Sequence, residues 1–158
     1  MAEEAEEPGR KQELEKIAKA CRHVPAMPAR NFYEALQSVW FAILGVWVES
    51  PFVLNCPLGR FTQYMYPFYQ KDKDYGRLTD EEALELLQFF FIKLNGLAQV
   101  LPPHGFAWSQ SRLGIHLCLG GLTPDGEDAT NDLDWLVLEA QRRVQLPEPL
   151  VDLLYHDK

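Results

Sequence analysis

Apolar positions recur at helical spacing from Ala29 onward. Phe32, Tyr33, Leu36, Val39, Trp40 and Ile43 follow at three- and four-residue steps, with Asn31, Glu34 and Gln37 on the opposite side. From Val39 to Val48 every residue is apolar or Gly, which predicts a helix covered on all sides. The run falls short of the roughly 20 apolar residues that cross a bilayer. Such a helix belongs inside a large protein.

Other stretches read as ordinary elements. Leu14, Ile17, Ala18 and Cys21 predict a short surface helix over Lys11 to Cys21, ended by Pro25 and Pro28. Phe52 to Leu58 is an apolar run bounded by Pro, read as a buried strand. Tyr64, Met65, Phe68 and Tyr69 predict an aromatic helix around Pro67. Thr79 with Glu82 forms the signature of a capping box, and the helix it opens ends near Gly96. Leu101 to Arg112 reads as a long loop. Gly114 to Leu119 reads as a buried strand, Thr123-Pro124-Asp125-Gly126 as a turn, and Leu133 to Val144 as a helix capped by Asn131 or Thr130. Leu150 to Tyr155 is a final strand. Strands alternating with helices predict an α/β fold with parallel pairing.

The length of 158 residues fits one domain, with 47% hydrophobic and 24% charged residues. Residues 1–10 read as a solvated acidic tail, and 11–158 as the folded part. A net charge of -8 argues against nucleic acid and anionic membranes as partners. Cys21, Cys56 and Cys118 form no CxxC, and the acidic N-terminus is no signal peptide, so a reduced cytoplasmic protein is expected.

Self-contained chemistry is hard to find. Cys56 and Cys118 fall in apolar strands, where a thiol is usually a small core residue, although either could line a cavity. His116 alternates with apolar neighbours and reads as hydrogen-bonded packing. His23, His104 and His156 show no metal-ligand spacing. Gly120-Gly121 lacks the rest of a dinucleotide fingerprint and reads as a tight turn. Arg60, between Leu58 and Phe61, should be partly buried and paired with a carboxylate such as Glu49 or Asp128. No catalytic residue and no metal site are assigned.

Six motifs in order carry a family resemblance. Ala29 to Phe41 (ARNFYEALQSVWF) and Leu58 to Tyr69 (LGRFTQYMYPFY) resemble segments of glycyl radical enzymes, the pyruvate formate-lyase-like group. The helix from Gly76 to Asn95 resembles the next helix, and Leu117 to Gly121, Asp128 to Asn131 and Leu146 to Pro149 are similar to further family signatures. The resemblance implies a ten-stranded β/α barrel, of which this chain is a helix-rich part, and a cytoplasmic anaerobic enzyme. It implies radical lyase, dehydratase or decarboxylase chemistry on a small-molecule substrate. The cofactor would be a glycyl radical installed by an AdoMet radical activase, and a homodimer is the assembly considered for the full-length enzyme. Neither the thiyl-cysteine loop nor the glycine loop is recognised in this sequence, which suggests an internal fragment without activity of its own. A formate acetyltransferase-type member and a non-catalytic relic or interaction module stay open as alternatives. The resemblance assigns Phe52, Asn55 and Cys56 to the substrate pocket, with an apolar character that leans toward an aromatic or non-polyol substrate. Arg60, Asn95, Asp128 and Asn131 are expected in structural roles, with direct substrate contact as the alternative for Arg60.

Overall fold

The computed structural model describes residues 7–49, 57–97 and 114–157. Helix α1 spans Pro8–His23 and starts ahead of the expected Lys11, because Pro8 is suited to the first turn. Helix α2 spans Phe32–Glu49. Helices α3 and α4 span Phe61–Asp74 and Asp80–Asn95, strand β1 His116–Gly120, helix α5 Asp132–Val144 and strand β2 Leu150–Leu154. The expected order of helices and the last two strands holds.

The local signals explain these boundaries. At α4 the Glu82 amide donates to Thr79 Oγ1 at 3.2 Å, and the Thr79 amide donates back to the Glu82 carboxylate at 2.8 Å. Asn131 caps α5 by accepting from the Leu133 amide at 3.0 Å, while Asp134 accepts from the Asn131 amide at 2.8 Å. Asn131, one of the two caps expected for this helix, is the one that caps it. Pro67 sits inside α3, where it removes one main-chain donor without ending the helix.

Strands β1 and β2 pair in parallel, from His116 opposite Leu150 to Gly120 opposite Leu154, with α5 as the crossover. Gly59 forms a parallel bridge to Leu117 on the other edge of β1. The strand expected from Phe52 lies outside the described residues except for its last two positions. The loop expected from Leu101 to Arg112 also lies outside them. Within the described residues the sheet has two strands; the larger barrel is not visible.

One layer of helices covers one face of this sheet. Leu117 and Leu119 are buried among Leu87, Leu94, Leu133 and Val137. Each fully buried Leu or Phe contributes about 2 kcal/mol from removal of apolar surface. Phe61 stacks on Phe90 at 5.8 Å between ring centroids, and Phe32 meets Tyr69 edge-on at 6.0 Å.

Helix α2 departs from expectation twice. Phe32, Ala35, Leu36, Trp40 and Ile43 are buried against the neighbouring helices, but Val46 is 44% and Val48 66% exposed. The described residues cover one side only, so all-round burial is not achieved here. Glu34, placed by helical spacing on the polar side, is 4% exposed. It is buried because its carboxylate accepts from the Arg30 amide at 3.0 Å and from the Arg30 guanidinium, which closes over it. Asp72 does a similar task beside it. It accepts from the Phe32 amide at 2.7 Å and from Arg77 Nη2 at 2.7 Å. Two buried carboxylates therefore fix the start of α2.

The Arg30 hydrogen bonds hold the Glu34 carboxyl at about 2, against an ordinary 4.5. The folded pKa lies below the unfolded one. This contribution to stability is therefore complete above pH 4.5 and is lost as pH falls toward 2. Glu34→Gln should lower the denaturant midpoint at neutral pH. The gap between variant and unmodified protein should close across that window, measured by urea melts at stepped pH.

Candidate functional site: the uncovered face of the parallel ladder

A parallel strand pair alternates its side chains between two faces. Leu117 and Leu119 point at the helices. His116 and Cys118 of β1 and Asp152 of β2 lie on the opposite face, where His116 is 39% and Asp152 48% exposed. His116 Nδ1 lies 2.8 Å from Asp152 Oδ2, across the two strands. Cys118 stands in register with Asp152 and is half-buried. It is therefore neither the sealed core thiol that its apolar neighbours suggest nor a wholly exposed one. His116 has the hydrogen-bonded role expected of it, on an open surface.

The neighbouring backbone is held from both sides. The Leu58 amide donates to the His116 carbonyl at 2.7 Å, and the Cys118 amide donates to the Gly59 carbonyl at 2.8 Å. At the strand's end Gly120 and Gly121 take φ of 64° and 79°, and a Cβ on Gly121 would come 3.0 Å from the Leu154 side chain. This is the expected tight turn and no phosphate loop. Gln63 Nε2 donates to the Gly120 carbonyl at 2.9 Å, tying α3 to the turn.

Arg60 differs from expectation. It is exposed, and its Nη1 donates to the Leu122 carbonyl at 3.1 Å instead of to a carboxylate. Asp128 is occupied elsewhere. Its Oδ1 accepts from the Thr130 amide at 2.9 Å and hydroxyl at 2.7 Å and lies 3.2 Å from His156 Nε2. The Thr130 amide, first of these contacts in effect, holds the Asp128 carboxyl below the usual range. Phe52, Asn55, Cys56 and His104 lie outside the described residues. His23 is the last residue of α1, with Nε2 3.0 Å from the Pro28 carbonyl.

Below the open face sits a buried polar latch. Glu148, 3% exposed, accepts from the Gly114 amide at 3.1 Å and the Ile115 amide at 3.0 Å. Asn95 Nδ2 donates to the Glu148 carbonyl at 2.6 Å, and its Oδ1 accepts from the Glu148 amide at 3.3 Å. Asn95 thereby ties the end of α4 to the backbone of Glu148. Glu148, Glu34 and Asp72 were missed by sequence reasoning. The Leu146-Pro147-Glu148-Pro149 signature was the one available hint, because an acid between two prolines cannot belong to a regular solvent-facing helix.

Among the described residues no group of His, Cys, Asp or Glu could hold a metal ion. Likewise no helix there is long and apolar enough to cross a membrane.

The family model described as "Pyruvate formate lyase-like" matches residues 1–158. The chain belongs to this family. Within the pyruvate formate lyase-like family it is 40% identical over 163 residues to an isethionate sulfite-lyase of Oleidesulfovibrio alaskensis. That match takes in 100% of this chain and 19% of the relative. It is 34% identical over 155 residues to a 4-hydroxyphenylacetate decarboxylase glycyl radical subunit of Clostridium scatologenes, covering 94% of this chain and 16% of the relative. A solved structure concerned with 1,2-propanediol dehydration in Roseburia inulinivorans superposes with a TM-score of 0.89 at 40% identity. It covers 97% of this chain and 19% of that one. The chain thus spans about a fifth of the length of these relatives, at 16–19%. Its relatives are glycyl radical lyases, dehydratases and decarboxylases.

Glu148→Gln tests the latch. A glutamine would keep an acceptor for one of the Gly114 and Ile115 amides and turn its nitrogen on the other, donor against donor. The variant should lose about 1–3 kcal/mol in urea unfolding, and one of these two amides should lose protection from hydrogen exchange.

Proposed function

We propose that residues 11–158 work as part of a longer glycyl radical enzyme, contributing barrel scaffold and one wall of the substrate pocket. The observation that carries this reading is a family match over the whole chain, joined to a parallel ladder packed by helices on one face and open on the other. In such an architecture the helix-covered face is the outside of a barrel and the open face its interior. The reaction is a lyase, dehydratase or decarboxylase step on a small molecule. The initiating chemistry is supplied by a glycyl radical, which an AdoMet radical activase installs. The residues of this chain bind and orient. Phe52, Asn55 and Cys56 line the pocket, and the largely apolar stretch they belong to leans it toward an aromatic or non-polyol substrate. Arg60, Asn95, Asp128 and Asn131 hold the walls. The enzyme is cytoplasmic and forms a homodimer.

The experiment is expression of the longer protein that contains this segment, with its activase, under anaerobic conditions. A glycyl radical signal in electron paramagnetic resonance is expected, followed by turnover on a panel including isethionate and 1,2-propanediol. Cys56→Ala should raise KM about tenfold while leaving the radical content unchanged. A purified protein with no radical signal after activation overturns the reading.

A further inference from the structure

Positive charge is concentrated at one place on a chain whose net charge is -8. A cleft of about 460 Å³ beside the start of α2 is lined by Lys16, Lys19, Arg30 and Arg77, together with the carboxylates of Glu34 and Asp72. The four cations come from separate parts of the chain. Lys16 and Lys19 share a face of α1, Arg30 precedes α2, and Arg77 stands between α3 and α4. Only the fold brings them to one cleft.

The two carboxylates orient the arginines without using them up. Glu34 and Asp72 are each 4% exposed, and each also accepts from a backbone amide. Glu34 receives Arg30 through Nε at 3.0 Å and through Nη2. Asp72 receives Arg77 through Nε at 3.0 Å and Nη2 at 2.7 Å. Each guanidinium is thus gripped along one edge, and a guanidinium carries donors on more than one edge. The side chains of Arg30 and Arg77 remain 51% and 49% exposed, and one face of Arg77 lies over the Tyr75 ring. The two carboxylates balance the two arginines, so the charges of Lys16 and Lys19 are in surplus. Lys16 Nζ lies 4.9 Å from the centre of the Tyr33 ring, on the cleft wall. Glu82, whose carboxyl feels Lys16, is already held by the Thr79 amide and hydroxyl. Leu78 and Leu86 add apolar wall.

We propose that this cleft binds a small organic phosphate, with Arg30 and Arg77 as prepositioned forks and Lys16 and Lys19 as the balancing charges. A phosphate group carries about -1.5 to -2 charge at pH 7 and several strong acceptor oxygens. That matches the surplus of positive charge, where a single carboxylate would match only half of it. Arginines already held in place lose little freedom on binding. The apolar wall and the cleft volume suit a ligand with an organic body. No residue of the cleft belongs to the strand ladder, so binding here is independent of the proposed function.

The 158-residue chain is titrated with phenyl phosphate at constant ionic strength and followed by amide chemical shifts. Shifts should concentrate on Lys19, Tyr33 and Leu78 and saturate with a Kd of about 1 mM. Benzoate, a single carboxylate on a similar body, should bind about tenfold more weakly. Inorganic phosphate should move the same residues with lower affinity, because it leaves the apolar wall uncovered. Lys16→Gln combined with Lys19→Gln changes two exposed positions, and should raise the Kd about tenfold with the urea midpoint unchanged. Lys71→Gln, at an exposed lysine outside the cleft, should leave the Kd as it was. Shifts that never saturate, equal affinity for benzoate or inorganic phosphate, or undiminished binding by the double variant each overturn the proposal. So does hexaglutamate binding tenfold more tightly than phenyl phosphate, which would assign the cleft to an acidic protein segment.

Discussion

The geometry of the ladder depends on one buried carboxylate. Glu148 stands just before β2, and its two oxygens receive the main-chain amides of Gly114 and Ile115 just before β1. Asn95, at the end of α4, clamps the Glu148 backbone on both its carbonyl and its amide. The start of both strands and the end of a helix are thereby fixed to one point. The Leu150 amide then finds the Ile115 carbonyl at 2.8 Å, and the parallel register follows. A slip of one residue would turn Leu117 and Leu119 out of the core and His116 and Cys118 into it. An ionised group in such a place is costly unless every oxygen is paired. Here both are.

A second polar constraint acts at the start of α2. Glu34 and Asp72 are both buried, and each combines a backbone amide with a half-exposed arginine, Arg30 or Arg77. Amphipathic patterning decides that α2 packs by Phe32, Leu36 and Trp40. These carboxylates decide where along its neighbours it does so. The helix's remaining apolar surface, at Val46 and Val48, meets no described residue that covers it.

Much of this was legible in the sequence because the signals were local. The capping boxes at Thr79 and Asn131 and the turn at Gly120-Gly121 each follow from a few adjacent residues, and the parallel pairing of the last two strands follows from the helix between them. What stayed hidden was side-chain polar pairing, whether between neighbours on one helix or across the chain. Glu34 looked solvent-facing by helical period because its burial comes from Arg30 folding over it, a choice that a period cannot register. Arg60 looked buried because its neighbours are apolar, yet the side chain runs outward to a carbonyl. His116 and Asp152 lie 36 positions apart, and only the register brings them together. Of the candidate site, the histidine was visible and its partner was not.

The latch has a consequence for how the chain reaches this state. Its contacts close loops of 33 and 34 residues, whereas the helices form from neighbours three or four apart. Closing such loops precedes any reward from the contacts they bring. The helical layer can therefore assemble early, and the strands join it late, when residues 114–115 and 148 meet. Until then the strand edges stand unpaired, and an incompletely assembled chain is most prone to wrong association there.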